Sequence, residues 1–249
     1  MDIPLPVYPA VILFCRVGGC LMTAPGFSSE RVPVQFRLYL AIAVTFVLAP
    51  MLLQRFSAVF TSAAPHTLAA MIFAELLIGV SLGLLARFYF FALEMLATSV
   101  AMTIGLGNIF GAAITEDEST PTFSSFVIVA ALTLVFTTDL HLEFIRALYL
   151  SYDTAPIIAE PRIDALIDEV LRVLTQSHLL ALRVCSPFLL FGLIVNVALG
   201  LLSRLTPQLQ IYFVSGPLVI FIGLSAFFVL GWDFFAAFIS NYGAWLQKG

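Results

Sequence analysis

The sequence predicts an all-α integral membrane protein, built from long broken helices and ending in a helical hairpin. Hydrophobic residues make up 61% of the chain and charged residues 10%, whereas soluble domains carry about 25% charged residues. The mean hydropathy is +1.06. The apolar residues fall into six long runs, and a helix that crosses a bilayer needs ~20 mostly apolar residues. The chain must therefore have a nonaqueous surface.

The first two apolar runs are both interrupted. Residues 7–24 form the first run, which contains Arg16, and residues 38–53 form the second, which is short and contains Pro50. The connecting stretch 25–37 carries prolines and charges and is expected to break the helix. Neither run resembles an uninterrupted span of a conventional membrane protein.

The third run, residues 67–93, is long and carries charge. Glu75 and Arg87 lie inside it and Glu94 just beyond it. Gly79 and Gly83 form a G-x-x-x-G pair, a spacing that lets a neighbouring helix approach closely. The run is therefore predicted to be a helix with one tightly packed face.

Residues 95–121 are unlike the flanking helices and organise the middle of the chain. The segment begins as an apolar run, thins into Gly105-Leu106-Gly107-Asn108-Ile109-Phe110-Gly111 and ends in Glu116, Asp117 and Glu118. Glycine permits unusual backbone shapes, and irregular apolar backbone at membrane depth occurs only where protein buries it or where it lines a cavity. A movable element inside a conduit, a re-entrant loop and a tight packing seam all fit this pattern.

The second half begins with residues 123–138, for which Thr120 and Pro121 make a plausible helix start. The polar stretch 139–146 then predicts an aqueous or interfacial edge. From Ile163 the apolar residues recur at helical spacing opposite an acidic face, which predicts an amphipathic helix. Residues 184–202 and 209–230 predict a hairpin, and residues 232–249 an aromatic-rich tail.

Several charged residues stand in or beside apolar runs: Arg16, Glu75, Arg87, Glu94, Arg183 and Arg204. A charge at the centre of a membrane helix costs at least ~2.5 kcal/mol. Such residues can line a proton or substrate pathway. They can equally pair between helices or subunits, or extend towards the interface from a helix end. The sequence leaves both interpretations open.

No catalytic, metal or cofactor motif was found. His141-Leu142-Glu143 has the wrong spacing for a zinc protease motif, and Asn108 stands where an intramembrane aspartyl protease needs a carboxylate. The three cysteines lie in apolar runs without metal-ligand spacing. The net charge of −4 gives no basic surface for nucleic acid. We therefore expect neither an enzyme nor a cofactor.

Several stretches resemble the FliR/SctT family of type III export-gate proteins. They include Arg16-Val17-Gly18-Gly19, Met22-Thr23-Ala24-Pro25-Gly26-Phe27, and Glu75 with Gly79 and Gly83. The most specific stretch runs from Asn196 to Arg204 and on through Pro207-Gln208-Leu209-Gln210-Ile211-Tyr212-Phe213. The resemblance covers nearly the whole chain.

This resemblance implies a single membrane domain over residues 1–249, in the flagellar export gate of the bacterial inner membrane at the basal body. Residues 1–162 would be built like FliP, with a pore plug at about 105–119. Residues 163–249 would be the amphipathic helix plus a FliQ-like hairpin. The chain would pack with FliP-like and FliQ-like subunits in a helical hetero-oligomer, work with FlhB- and FlhA-like components, and pass unfolded flagellar proteins.

The resemblance also suggests roles for particular residues. The plug would contain Gly105, Gly107, Asn108, Ile109, Phe110, Gly111, Glu116, Asp117 and Glu118. Subunit contacts or buried charges would involve Arg16, Glu75, Arg87, Glu94, Asn196, Arg204, Pro207 and Gln208. The alternatives are an injectisome export-gate subunit and a small-solute secondary transporter. For the transporter no convincing internal repeat is visible.

Overall fold

A computed structural model describes residues 7–28, 32–60, 65–106, 122–157, 163–206 and 211–248. Within these ranges every regular element is an α-helix, so the prediction of an all-α membrane protein is confirmed. The seven helices in order are α1 (Val7–Thr23), α2 (Val34–Phe60), α3 (Pro65–Thr103), α4 (Thr122–Thr137), α5 (Leu140–Thr154), α6 (Ile163–Leu205) and α7 (Ile211–Lys248).

Helices α2 and α3 are longer than the apolar runs that predicted them. Helix α2 begins at Val34, inside the stretch expected to be loop, and it continues through Pro50 to Phe60. Helix α3 has 39 residues and passes Glu94 without a break. Hydropathy marks where a chain is apolar, whereas a helix ends only where its backbone hydrogen bonds end.

Helix α5 occupies the polar stretch that the sequence placed at an interfacial edge. Asp139 adopts a left-handed conformation, with φ 59°, and separates α4 from α5. Leu140, Phe144 and Leu148 then recur every four residues and are buried. This spacing forms one apolar face of a helix, so the stretch contains a helix that the sequence analysis did not predict. Its place at an interfacial edge stays a prediction.

The C-terminal part consists of two long helices. The predicted amphipathic helix and the first arm of the hairpin are one continuous helix, α6, of 43 residues. The second arm and the aromatic-rich tail likewise form one helix, α7, of 38 residues. Pro187 and Pro217 lie inside these helices without ending them.

The chain divides into two units by its internal contacts. The first contains Met1–Phe88, Asp139–Leu174 and Leu246–Gly249. Its core is formed by α1, α2, the first part of α3, and α5, through fully or almost fully buried side chains such as Leu13, Val17, Leu52 and Tyr152.

The second unit contains Tyr89–Thr138 and Thr175–Trp245. An aromatic cluster joins α3 to α7 there. The rings of Phe90 and Phe238 meet edge to face with centroids 5.3 Å apart, and Tyr89 meets Tyr242 at 5.6 Å. Ring centroids at 4.5–7 Å in this orientation are favourable.

Among the described residues, four helices are long and apolar enough to cross a membrane, and a fifth span results if α4 and α5 count as one broken span. The apolar stretches of α3 and α6 contain 37 and 42 residues, about twice the ~20 residues that a bilayer requires. In an 18-residue apolar window of each of the four helices, no more than 33% of the residues are buried within the chain. Most of their apolar surface therefore faces something other than this polypeptide.

Candidate functional site

The candidate site is a buried ion pair in the first unit, between Arg16 of α1 and Glu75 of α3. Arg16 Nε donates to Glu75 Oε2 over 2.7 Å, and Nη2 donates to Oε1 over 2.6 Å. The side chains are 0% and 1% exposed. This two-bond arrangement matches the planar fork of a guanidinium to a carboxylate. Each charge thus has its partner inside the unit.

The Arg16 guanidinium uses all five of its N–H groups. Two bind Glu75, as described. Nη1 donates to the carbonyl oxygen of Ser151 at 3.0 Å and to its Oγ at 3.1 Å, and Nη2 also donates to the carbonyl oxygen of Ala155 at 2.8 Å. A buried arginine is tolerated when all its donors are satisfied. We refer to Arg16, Glu75, Ser151, Tyr152 and Ala155 as the arginine clamp.

The clamp holds the C-terminal end of α5. Ser151 lies in the last turn of this helix and Ala155 is its C-cap. The Ser151 carbonyl also accepts from the backbone N–H of Ala155, and a cation at this end of a helix interacts favourably with the helix dipole. Tyr152 adds its ring face, whose centroid lies 4.0 Å from Arg16 Cζ, a cation–π contact. The clamp therefore ties together α1, α3 and α5.

Glycines bring α1 and α3 close enough for the ion pair to form. A Cβ on Gly79 would lie 2.8 Å from the carbonyl carbon of Arg16, and one on Gly83 would lie 3.0 Å from the backbone nitrogen of Ala24. Glu75, Gly79 and Gly83 are spaced by four residues and so share one face of α3. The predicted G-x-x-x-G face is thus occupied by α1, with Glu75 in line with it.

A second ion pair joins α5 to α2. Arg55 binds Asp153 through a hydrogen bond, and the two side chains are 49% and 44% exposed. The ring of Phe56 lies beside that of Tyr152. Three consecutive residues of α5, from Ser151 to Asp153, are therefore held by two arginines from two other helices.

The remaining predicted charged and polar residues do not join the clamp. Arg87 is exposed and Glu94 half-buried. Arg204 is exposed at the end of α6. Asn196 is exposed and donates from Nδ2 to the carbonyl oxygen of Gly192 in its own helix. Pro207 and Gln208 lie outside the described residues. The proposed interface roles of these residues stay predictions.

The predicted plug lies almost entirely outside the described residues. Of its members only Gly105 is described, with φ 81° just after the end of α3. Glycine is the residue best suited to this left-handed conformation. Gly107, Asn108, Ile109, Phe110, Gly111, Glu116, Asp117 and Glu118 are outside the described ranges.

The clamp can bind and hold helices together, and its groups do not resemble a catalytic or metal site. Among the described residues no cluster of three or more metal-ligating side chains was found. Sequence reasoning named Arg16 and Glu75 separately and missed Ser151, Tyr152 and Ala155. The signal in the sequence was that Glu75 lies four residues before Gly79 and so shares its helix face. Ser151 is 135 residues from Arg16, and no local pattern connects the two.

Comparison with known proteins identifies the family. The sequence profile of the bacterial export proteins, family 1, matches residues 7–243. The chain belongs to this family of bacterial export proteins. It is 30% identical over 222 residues to flagellar biosynthetic protein FliR of Caulobacter vibrioides, covering 88% of this chain and 86% of the relative.

Other relatives carry the same name. FliR of Escherichia coli is 30% identical over 210 residues, which cover 84% of this chain and 79% of the relative. FliR of Aquifex aeolicus is 30% identical over 221 residues, with 86% and 81% covered. The resemblance to the FliR family and the expectation of a flagellar type III export-gate component are therefore confirmed. The chain is a membrane protein of the flagellar export apparatus.

Proposed function

We propose that this export-gate component forms part of the wall of the conduit that unfolded flagellar proteins cross, in the bacterial inner membrane at the flagellar basal body. One observation carries the proposal. Three of the four apolar stretches, in α3, α6 and α7, contain 37, 42 and 33 residues and are too long for ordinary spans, and at most 33% of an 18-residue apolar window in each helix is buried within the chain. A helix that only has to cross the bilayer does not need such length.

The cover comes from FliP-like and FliQ-like subunits. The α6 and α7 surfaces support this assignment, because some of their largest apolar side chains are the most exposed: Leu205 is 77%, Trp232 80% and Phe228 89% exposed. Exposed apolar faces of this kind mark protein or membrane contacts. FlhA-like and FlhB-like components would act beside the assembly, since the chain contributes no recognised energy-coupling motif.

The part of the chain that resembles FliP, residues 1–162, contains the arginine clamp, and residues 163–249 supply the FliQ-like hairpin. The clamp supports a fixed wall, because it satisfies all five Arg16 donors inside the chain. A pathway for protons would need groups that water or another carrier can reach. The clamp is therefore structural, and the chain has no catalytic role.

The plug is the segment of about 105–119. It is supported by its glycine content and by Gly105, which turns the chain out of α3 in a left-handed conformation. Ile109 and Phe110 would fill the conduit at rest, and an arriving substrate would displace them. Removing residues 105–111 should make resting cells permeable to ions or small solutes. Unchanged permeability in a strain whose complex still assembles contradicts the plug.

Mass measurement tests the assembly. The chain is co-expressed with the neighbouring export genes, purified, and the intact complex is weighed by native mass spectrometry. The proposal expects one copy of this chain in a complex with several FliP-like and FliQ-like subunits. A folded, monodisperse chain without those subunits, able to move a small solute, would instead indicate a secondary transporter.

A further inference from the structure

A second site lies on α3 within the first unit, and residues other than its glycines line it. An apolar groove of about 520 Å³ runs between α3 and the start of α6. Phe73, Leu77 and Leu84 line it from α3, and Leu166 and Val170 line it from α6. Pockets of this size commonly hold small ligands.

The described residues that line the groove offer no polar group for a ligand to bind. The polar side chain in its lining is Ser81, and the Ser81 hydroxyl donates to the carbonyl oxygen of Ile78 in its own helix over 2.7 Å. An occupant must therefore be apolar along the part that enters, because any polar group there would lose its hydrogen bonds to water.

The side chains that line the groove favour an alkyl chain over another helix. Helices in membranes approach one another through small residues such as glycine. The glycines of α3 face α1 instead, as Gly79 shows by its contact with Arg16. The groove is lined by leucines, valines, an isoleucine and a phenylalanine. Side chains of this size do not offer the small-residue surface that close helix packing uses.

Carboxylates lie beside the groove and suggest the headgroup of the ligand. Asp164 and Asp168 are both exposed. Asp164 and Asp168 come three residues before the groove-lining Ile167 and Leu171, a spacing that makes each carboxylate a neighbour of a groove side chain on the helix surface. Neither forms an ion pair with any described residue. By contrast, Glu169 is paired with Arg172 over 2.6 Å. Two unpaired carboxylates attract a cation and repel an anionic headgroup.

We propose that this groove binds an acyl chain of a phospholipid whose headgroup carries an ammonium, such as phosphatidylethanolamine. The acyl chain lies between α3 and α6, and the ammonium pairs with Asp164 and Asp168. The lipid seals the seam between the two helices. This inference is independent of the export role, which remains if the groove proves empty.

The test is made on the full chain, purified in detergent with the subunits that assemble with it. The complex is incubated with equal amounts of phosphatidylethanolamine and phosphatidylglycerol, and bound lipid is counted by native mass spectrometry. We expect retained phosphatidylethanolamine to exceed phosphatidylglycerol. Ile167→Trp, which fills the groove, should lower retention about tenfold, the effect of excluding some two methylene groups.

A matched control is Leu179→Trp, on the same helix but away from the groove. Leu179 is 61% exposed and Ile167 is 52% exposed, so the two changes are alike except in position. The control should retain lipid as the unchanged protein does. Should Ile167→Trp fail to assemble, Ser81→Leu fills the groove from the opposite helix.

Asp164→Asn with Asp168→Asn tests the headgroup. This pair of changes should abolish the preference for phosphatidylethanolamine while the total of bound lipid stays the same. The proposal is overturned if the unchanged protein retains both lipids equally, if it retains neither, or if Ile167→Trp and Leu179→Trp lose lipid to the same extent. If a polypeptide occupied the groove, the unchanged protein would retain neither lipid.

Discussion

Arg16 and Glu75, 59 residues apart in the chain, meet through two hydrogen bonds of 2.7 and 2.6 Å with neither side chain reaching solvent. Either charge would be unfavourable alone in this buried position. Together with the end of α5 they form a closed cluster in which each guanidinium N–H has an acceptor. The first three predictions follow from this cluster.

Glu75→Gln should destabilise the protein strongly. The change keeps the shape of the side chain but leaves the Arg16 charge buried without its counter-charge, and breaking such a pair costs roughly 3–5 kcal/mol. The measurement is the free energy of unfolding of the purified protein, from denaturant titration followed by tryptophan fluorescence. Asp153→Asn is the control, because the half-exposed Arg55–Asp153 pair should contribute less than about 1 kcal/mol. Equal losses for the two variants would contradict the clamp.

Gly79→Ala should separate α1 from α3. The new Cβ would overlap the backbone of Arg16, and overpacking of this kind costs about 1–3 kcal/mol. Gly200→Ala on α6 is the matched control, since no atom lies within 4 Å of its added Cβ. That change should be neutral or stabilise the helix by about 0.5–1 kcal/mol. The comparison is made by thermal unfolding. A Gly79→Ala variant as stable as Gly200→Ala would show that α1 lies elsewhere.

Tyr152 should act through its ring and not through its hydroxyl. Its hydroxyl oxygen is buried without a hydrogen-bond partner among the described residues. Tyr152→Phe removes an unsatisfied polar group and should leave stability unchanged or raise it by about 1 kcal/mol. Tyr152→Leu removes the cation–π contact with Arg16 and should cost about 1–2 kcal/mol. The free energy of unfolding of both variants is measured as above. A larger loss of stability for Tyr152→Phe than for Tyr152→Leu would show that the hydroxyl, and not the ring, is what stabilises the clamp.

The sequence predicted the kind of fold well, and the places where it failed have physical causes. Composition identifies a membrane protein because few charges can be buried in lipid. Hydropathy divided α6 into two elements, since its first part is amphipathic and its second part apolar, although the backbone is continuous. Helix α5 was missed, even though its apolar spacing from Leu140 to Leu148 was present in the sequence.

The site was only half predictable. Arg16 and Glu75 were recognisable because charges in apolar runs need partners. Their pairing with each other could not be predicted, because several charged residues stand in apolar runs and the sequence does not show which of them are close in space. The acceptors on Ser151 and Ala155 include backbone carbonyls, which every residue has, so no side-chain pattern could reveal them.

The central claim is that sister subunits cover the apolar faces of the long helices. Photo-crosslinking in cells tests it directly, with a photoreactive residue placed in turn at Leu205, Phe221 and Phe228, which are 77%, 72% and 89% exposed. Phe238, which is 1% exposed, serves as an inward-facing control expected to give internal products alone. The account predicts covalent adducts to other export-gate subunits from at least one site on each of α6 and α7. Adducts to lipid alone at all three exposed sites, in cells that assemble flagella, would contradict it.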